Sequence, residues 1–225
     1  ARNSFGFHEK VDKLMDASMD IMQQSGAEIV DPANIGTSGK FGDSEFEVLL
    51  YEFKADLNTY LAKLDSNAPV RTLQDIIEFN EANREKEMPF FEQEIFIMAE
   101  KKGPLTEEVY IKALENNHRL ARSEGIDATM QKCRLSAIIA PTIGLPSPID
   151  LVNGDHYLGG SSEFAAVAGY PSITVPAGYV FGLPVGISFF AGAYSEPILI
   201  KLAYAFEQAS KFRRPPRFLQ TFDAL

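Results

Sequence analysis

The sequence predicts an α/β protein in which a helical segment, about residues 43–133, leads into a strand-rich stretch from 134 onward. Three observations carry that reading. Apolar residues recur at helical spacing through residues 9–25 and again through 46–64. From Ser136 the period becomes extended: AIIAPT (137–142) is a continuous apolar run of strand length, and SITVPAGYV (172–180) and LPVGISFFAG (183–192) follow it, joined by a glycine turn. The stretch PILIKLAYAFEQAS (197–210) then returns to helical spacing, with Ile198, Leu199, Leu202, Phe206 and Ala209 expected to face inward.

Taken in order, residues 9–25 place Val11, Leu14, Met15, Ser18 and Met22 on one face of a helix that ends at Gly26. AEIVDP (27–32) is expected as a short strand stopped by Pro32, and residues 34–43 as a glycine-rich loop. Asp43 or Ser44 is then positioned to cap a helix striped by Phe46, Leu49, Leu50, Phe53, Leu57, Tyr60, Leu61 and Leu64. Thr72 with Asp75 has the spacing of a capping box for the next helix. A third helix spans about 92–102 and stops at Gly103-Pro104; a fourth runs from Thr106 to about Arg122, with Gly125 separating it from further turns up to Cys133. Residues 1–7 are too short and polar for a whole strand, yet a helix follows at once, so the chain reads as if cut inside or just after one. These pieces make one partial domain over 1–225: a βα start (1–42), the helical segment (43–133) and the strand-rich part (134–225).

With 225 residues, 45% of them hydrophobic, the chain can bury a sizeable core. Its formal charge of -10 argues against a nucleic acid or an anionic membrane as partner, since both select a basic face. The acidic excess belongs to residues 1–135 and marks solvated helix faces. No run of eighteen apolar residues is present. The single cysteine, Cys133, excludes an internal disulfide framework and is expected to pack as a small apolar side chain.

Candidates for chemistry are few. Gly159-Gly160-Ser161-Ser162 opens the short run EFAAVAG, and two readings stand side by side: a serine hydroxyl as N-cap, or hydroxyls lining a substrate pocket. A serine nucleophile needs a base, and the neighbouring Asp155-His156 pair is not made one by adjacency in sequence. NIGTSGK (34–40) looks like a phosphate loop but starts on Asn and follows Lys40 with Phe41, where a magnesium-binding hydroxyl belongs. Thr37 and Lys40 have a nucleophile-x-x-Lys spacing with no supporting motif. His8, His118, His156 and Cys133 share no metal-ligand spacing, so neither a metal nor another cofactor is expected.

Several segments resemble the amidase signature family: YEFKADLNTYLA (51–62), TLQDIIEFNEAN (72–83), GIDATMQKCRLSAIIAPT (125–142), GSSEFAAVAGYPSITVPAG (160–178) and GLPVGISFFAGAYSE (182–196). The resemblance implies the C-terminal part of the amidase signature fold, a mixed sheet flanked by helices, in an enzyme that hydrolyses linear amides to acid and ammonia or amine. That family uses a Ser–Ser–Lys triad within a Gly/Ser-rich signature. Here Glu163 and Phe164 follow the serines where the signature has glycines, and the surroundings match the family's later helix, so no catalytic residue is carried over. What carries over is the substrate side of the pocket: Asn153, His156, Gly160, Ser161 and Ser162. The partners implied are a small amide substrate and the missing N-terminal part of the same protein. The chain alone is expected to be inactive and, with sheet edges open, prone to self-association. The alternative is a non-catalytic binding or scaffolding module that pairs with a separate N-terminal half.

Overall fold

The computed structural model describes residues 1–218. In chain order its elements are α1 (Glu9–Gln24), α2 (Gly42–Leu61), α3 (Leu73–Ala82), α4 (Arg84–Glu87), α5 (Glu94–Glu100), α6 (Glu108–His118), a π-helical segment (Arg119–Ile126), α7 (Asp127–Cys133), β1 (Ile138–Pro141), α8 (Ser162–Ala168), β2 (Ser172–Val180), β3 (Leu183–Phe190) and α9 (Glu196–Ser210). Two compact units form: Ala1–Gly39 with the chain from His118 onward, and Lys40–Asn117.

The first unit is built on a sheet of order β1-β3-β2. A mixed sheet is the sequence expectation; among the described residues both ladders are antiparallel. The reason is local for β2 and β3, because a two-residue turn at Phe181-Gly182, both with positive φ (52° and 79°), returns the chain directly alongside itself. The β1–β3 ladder pairs Ile139 with Phe189 and Ala140 with Ser188, and the β2–β3 ladder pairs Ile173 with Phe189 and Thr174 with Ser188. Alternation then sorts the side chains. One face carries Val175, Val185, Ile187 and Phe189, and packs with Val11, Met15 and Met22 of α1 and Leu199, Ala203 and Phe206 of α9 in one buried core. Each of these side chains other than Ala203 contributes about 1.5–3 kcal/mol by leaving water. The inward face of α9 is thus Leu199, Ala203 and Phe206, with Ile198 and Leu202 half-buried and Ala209 exposed. Residues 27–32 do not form the expected strand: Ala27 N–H bonds back to Met22 O, Ile29 packs onto the core, and Asp31 is held by the Arg2 guanidinium. Its apolar pattern serves a loop pinned at both ends.

The π segment has a specific cause. A Cβ at Gly125 would lie 2.4 Å from Leu120 O, so only glycine permits this close approach of the widened turn. Thr37 Oγ1 donates to that same carbonyl at 2.8 Å. Thr37 is 5% exposed, which makes the phosphate-loop-like string 34–40 a structural tie rather than a nucleophile.

In the second unit α2 is flanked by α3, α5 and α6. Leu50 packs with Leu73 and Ala99, and Val48 and Tyr51 pack with Tyr110. The buried face is therefore Val48, Leu50, Tyr51 and Leu61, while Phe46, Leu49 and Tyr60 of the expected stripe are 39%, 46% and 62% exposed. Neighbours on two sides of the helix turn the buried face towards Val48 and Tyr51. Neither Asp43 nor Ser44 caps α2, whose N-cap is Phe41; the Ser44 hydroxyl sits 2.6 Å from Asn117 Oδ1 instead. The capping box at Thr72 is present: Thr72 Oγ1 accepts from Asp75 N–H at 3.1 Å, and Asp75 accepts from Thr72 N–H at 3.0 Å. Lys54 Nζ donates to Glu100 O and Lys102 O, and so satisfies carbonyls at the end of α5.

Two outcomes follow. Gly125→Ala should destabilise the chain by about 1–3 kcal/mol in urea unfolding, the cost of overpacking, whereas Gly42→Ala, with nothing within 4 Å, should be neutral or slightly stabilising. Thr72→Ala should cost about 1 kcal/mol in the helical unit. The bonds from Arg71 and Thr72 hold the Asp75 carboxyl below its ordinary pKa, so its share of the cap is present above the unfolded value and fades as pH falls through the folded one.

Candidate functional site

The site is assembled at the C-terminal end of β1. Thr142 N–H donates to Gly186 O at 3.0 Å, which extends the β1–β3 ladder by one residue. The chain then leaves as a loop and returns at Gly159-Gly160, where Gly144 N–H bonds Gly159 O at 2.9 Å and Ile143 faces Gly160 in an antiparallel bridge. Ser161 completes the seam from both ends. Its N–H donates to Thr142 O at 3.2 Å, and its hydroxyl donates to Pro141 O at 2.8 Å. At 1% exposure Ser161 is buried, and although it stands at the N-cap of α8 its side chain makes no cap bond. The N-cap reading of this hydroxyl is therefore replaced by a tie to the strand end. The hydroxyl proton is directed to the Pro141 carbonyl at the end of β1.

The other expected residues divide. Gly160 and Ser162 flank Ser161, Ser162 being exposed at the first position of α8. The Tyr157 hydroxyl lies 3.4 Å from where a Cβ at Gly160 would be, and Phe7 packs against Gly159. Asn153 and His156 are exposed on the loop. Asn153 is bound into its own turn, with its N–H and Nδ2 donating to Asp150 at 2.9 and 2.8 Å. Those bonds hold the Asp150 carboxyl below its ordinary pKa. The structure thus brings Gly160, Ser161 and Ser162 together and leaves Asn153 in a separate Asp150-centred turn.

Sequence reasoning missed a hydroxyl cluster beside this seam. Thr142 Oγ1 and Ser188 Oγ are 2.8 Å apart, Thr174 Oγ1 and Ser188 Oγ 2.9 Å, and Thr142 and Thr174 3.3 Å. These three residues lie on the sheet face opposite the α1–α9 core. The signal was available: one hydroxyl residue interrupts, or immediately ends, each of the three apolar strand runs. Further along that face Phe190 stacks on Phe164 of α8, ring centroids 6.3 Å apart. Among the described residues no group of three or more His, Cys, Asp or Glu side chains is placed to hold a metal ion, and no helix is long and apolar enough to cross a membrane.

Ser161→Ala removes a buried donor and leaves Pro141 O without its partner, so it should lower unfolding stability by about 1–3 kcal/mol. Ser162→Ala, at an exposed position, should stay within about 0.5 kcal/mol of the parent in the same measurement.

Comparison with known proteins places this geometry. The family described as Amidase matches residues 1–200. A probable amidase of Arabidopsis thaliana is 36% identical over 220 residues, covering 95% of this chain and 39% of that protein. Native peptide amidase from Stenotrophomonas maltophilia superposes with a TM-score of 0.84 at 41% identity, over 92% of this chain and 41% of that one. A peptide amidase in complex with the competitive inhibitor chymostatin gives 0.87 at 42% identity, over 92% and 42%. The chain thus spans about two fifths of the length of these relatives. It belongs to the amidase family, with the fold of the amidase signature enzymes.

Proposed function

We propose that the chain is the C-terminal, substrate-lining portion of an amide hydrolase that cleaves linear amide C–N bonds, releasing ammonia or an amine, with peptide amides as the leading substrate class. The observation that carries this reading is the likeness to peptide amidase at 41–42% identity over 92% of the chain. The part assigned to this chain is to complete the fold and to shape the pocket at the Gly160–Ser162 seam, Asn153 and His156 lying on the loop that approaches it. The nucleophile and its base come from the N-terminal portion of the enzyme. That division agrees with the chemistry of the seam. A serine attacks an amide only when a base takes its proton, and the Ser161 proton is committed to a backbone carbonyl, which cannot accept it fully.

A chimera tests the proposal. This chain replaces the matched C-terminal segment of the Stenotrophomonas peptide amidase, and ammonia release is followed on N-acyl amino-acid amides and simple aliphatic amides. The chimera is expected to turn over peptide amides, and the 225-residue chain alone to release no ammonia. A folded but inactive chimera would overturn the reading that this chain completes an amide-hydrolysing enzyme. Turnover by the chain alone, lost in the Ser161→Ala/Ser162→Ala double variant, would place the catalytic machinery at the seam and overturn the division of roles.

A further inference from the structure

Two short stretches of this acidic chain are rich in cations, and the fold brings them to one place, the tip of the β2–β3 hairpin. Lys10 and Lys13 stand one turn apart on α1, and residues 211–217 hold Lys211, Arg213, Arg214 and Arg217 with no acid among them. The Lys10 ammonium sits 3.9 Å from the centroid of the Phe181 ring, and the Arg214 guanidinium 5.0 Å from that of Tyr179. Arg214 N–H donates to the Tyr179 hydroxyl at 3.0 Å, and Arg217 Nη2 lies 3.6 Å from where a Cβ at Gly182 would be. The segment is anchored, because Phe212 packs against the α1–α9 core. Between α1 and the tip runs an open groove of about 330 Å³, lined by Lys10, Lys13, Leu14, Tyr179, Val180 and Phe181.

Two features distinguish this surface from an ordinary solvated face. The first is that its cations are unpaired. Elsewhere Arg2, Arg84 and Arg119 pair with carboxylates, and Arg71 and Arg122 donate to backbone carbonyls. Among the described residues the Lys10 ammonium and the Arg214 and Arg217 guanidinium groups have no such acceptor. The nearby acids of α1 are engaged, Glu9 with Lys13 and Asp12 with Gly6 N–H. The second is Phe181. A bulky residue is strained at positive φ, where hairpin turns favour Asn or Gly, yet Phe181 holds φ 52° and is 43% exposed. Its ring leaves the core and steadies an ammonium at the surface, and that ammonium keeps its donors for an anion. Charge also limits the size of the partner. At physiological ionic strength charges interact over about 8 Å. A short acidic segment at the tip therefore meets the cations, whereas a nucleic acid or membrane reaching past it meets the rest of a chain of net charge -10.

We propose that the hairpin tip, with Lys10, Arg214 and Arg217 around Tyr179 and Phe181, docks a short acidic polypeptide segment, its carboxylates on the cations and an apolar side chain in the groove beside Leu14 and Val180. This goes beyond the amide-hydrolase reading and does not depend on it. The test is a fluorescence-anisotropy titration of the 225-residue chain with a labelled peptide, Asp-Glu-Asp-Leu-Glu-Asp-Glu-Asp, and with its Asn/Gln counterpart. Saturable binding is expected to the acidic peptide and not to the neutral one, and should weaken at least about tenfold between about 50 and about 500 mM NaCl. The Lys10→Ala/Arg214→Ala/Arg217→Ala variant should bind at least about tenfold more weakly. Lys40→Ala/Lys63→Ala/Lys101→Ala, which removes as much charge from exposed positions elsewhere, should bind as the parent does. Melting temperatures are measured for each variant. Should the first triple variant not fold, Lys10→Glu alone, at an exposed position of α1, should bind at least about threefold more weakly. No saturable binding, unchanged binding by the hairpin-tip variants, equal weakening in the two triple variants, or equally tight binding of an oligothymidylate of matched charge would overturn the site.

Discussion

The pairing of β3 on both of its edges is the constraint on which the strand-rich unit depends. A central strand has no freedom of register, because a slip of one residue would turn Ile187 and Phe189 away from the α1–α9 core and Ser188 into it. With the register fixed, the rest follows from alternation. The odd-numbered side chains of β3 from Val185 to Phe189 anchor two helices. The even-numbered ones, Gly186 and Ser188, hold together the polar face on which the candidate site stands.

The seam at the end of β1 shows how this unit turns backbone polarity into a rigid site. Three carbonyl or amide groups within four residues, at Pro141, Thr142 and Gly144, are satisfied by the returning segment 159–161 rather than by water. Most of those bonds are backbone to backbone, and the one side chain that takes part is Ser161. A seam built this way does not depend on long flexible side chains, so its residues are held in place mainly by backbone bonds. The remaining face of the seam is aromatic and apolar, with Phe7 against Gly159 and Tyr157 beside Gly160.

Much of this was legible in the sequence because local chemistry decided it. The helical period of residues 9–25, the Thr72–Asp75 capping box and the two extended runs around Phe181-Gly182 each specify their element without help from distant residues. What was not legible depended on partners far along the chain. The face of α2 is chosen by helices 20 to 60 residues away, so Tyr51 is buried and Tyr60 is not. AEIVDP has a strand composition but no strand beside it, and its ends are claimed by Met22 and Arg2. The serine pair at 161–162 stood out in the sequence, yet the role of the first hydroxyl is set by Pro141, 20 residues earlier. Each strand run showed its hydroxyl, but that Thr142, Thr174 and Ser188 meet follows only from the register of both ladders.

Native-state hydrogen exchange tests the central claim, that β3 is the organising strand, most directly. The amides of Ile187, Phe189 and Phe190, with that of Thr142 bonded to Gly186 O, should be among the slowest to exchange in the strand-rich unit and should open only with its global unfolding. Exchange of these amides by local opening, ahead of those in α1 and α9, would show that the helices hold without the strand and would contradict the account.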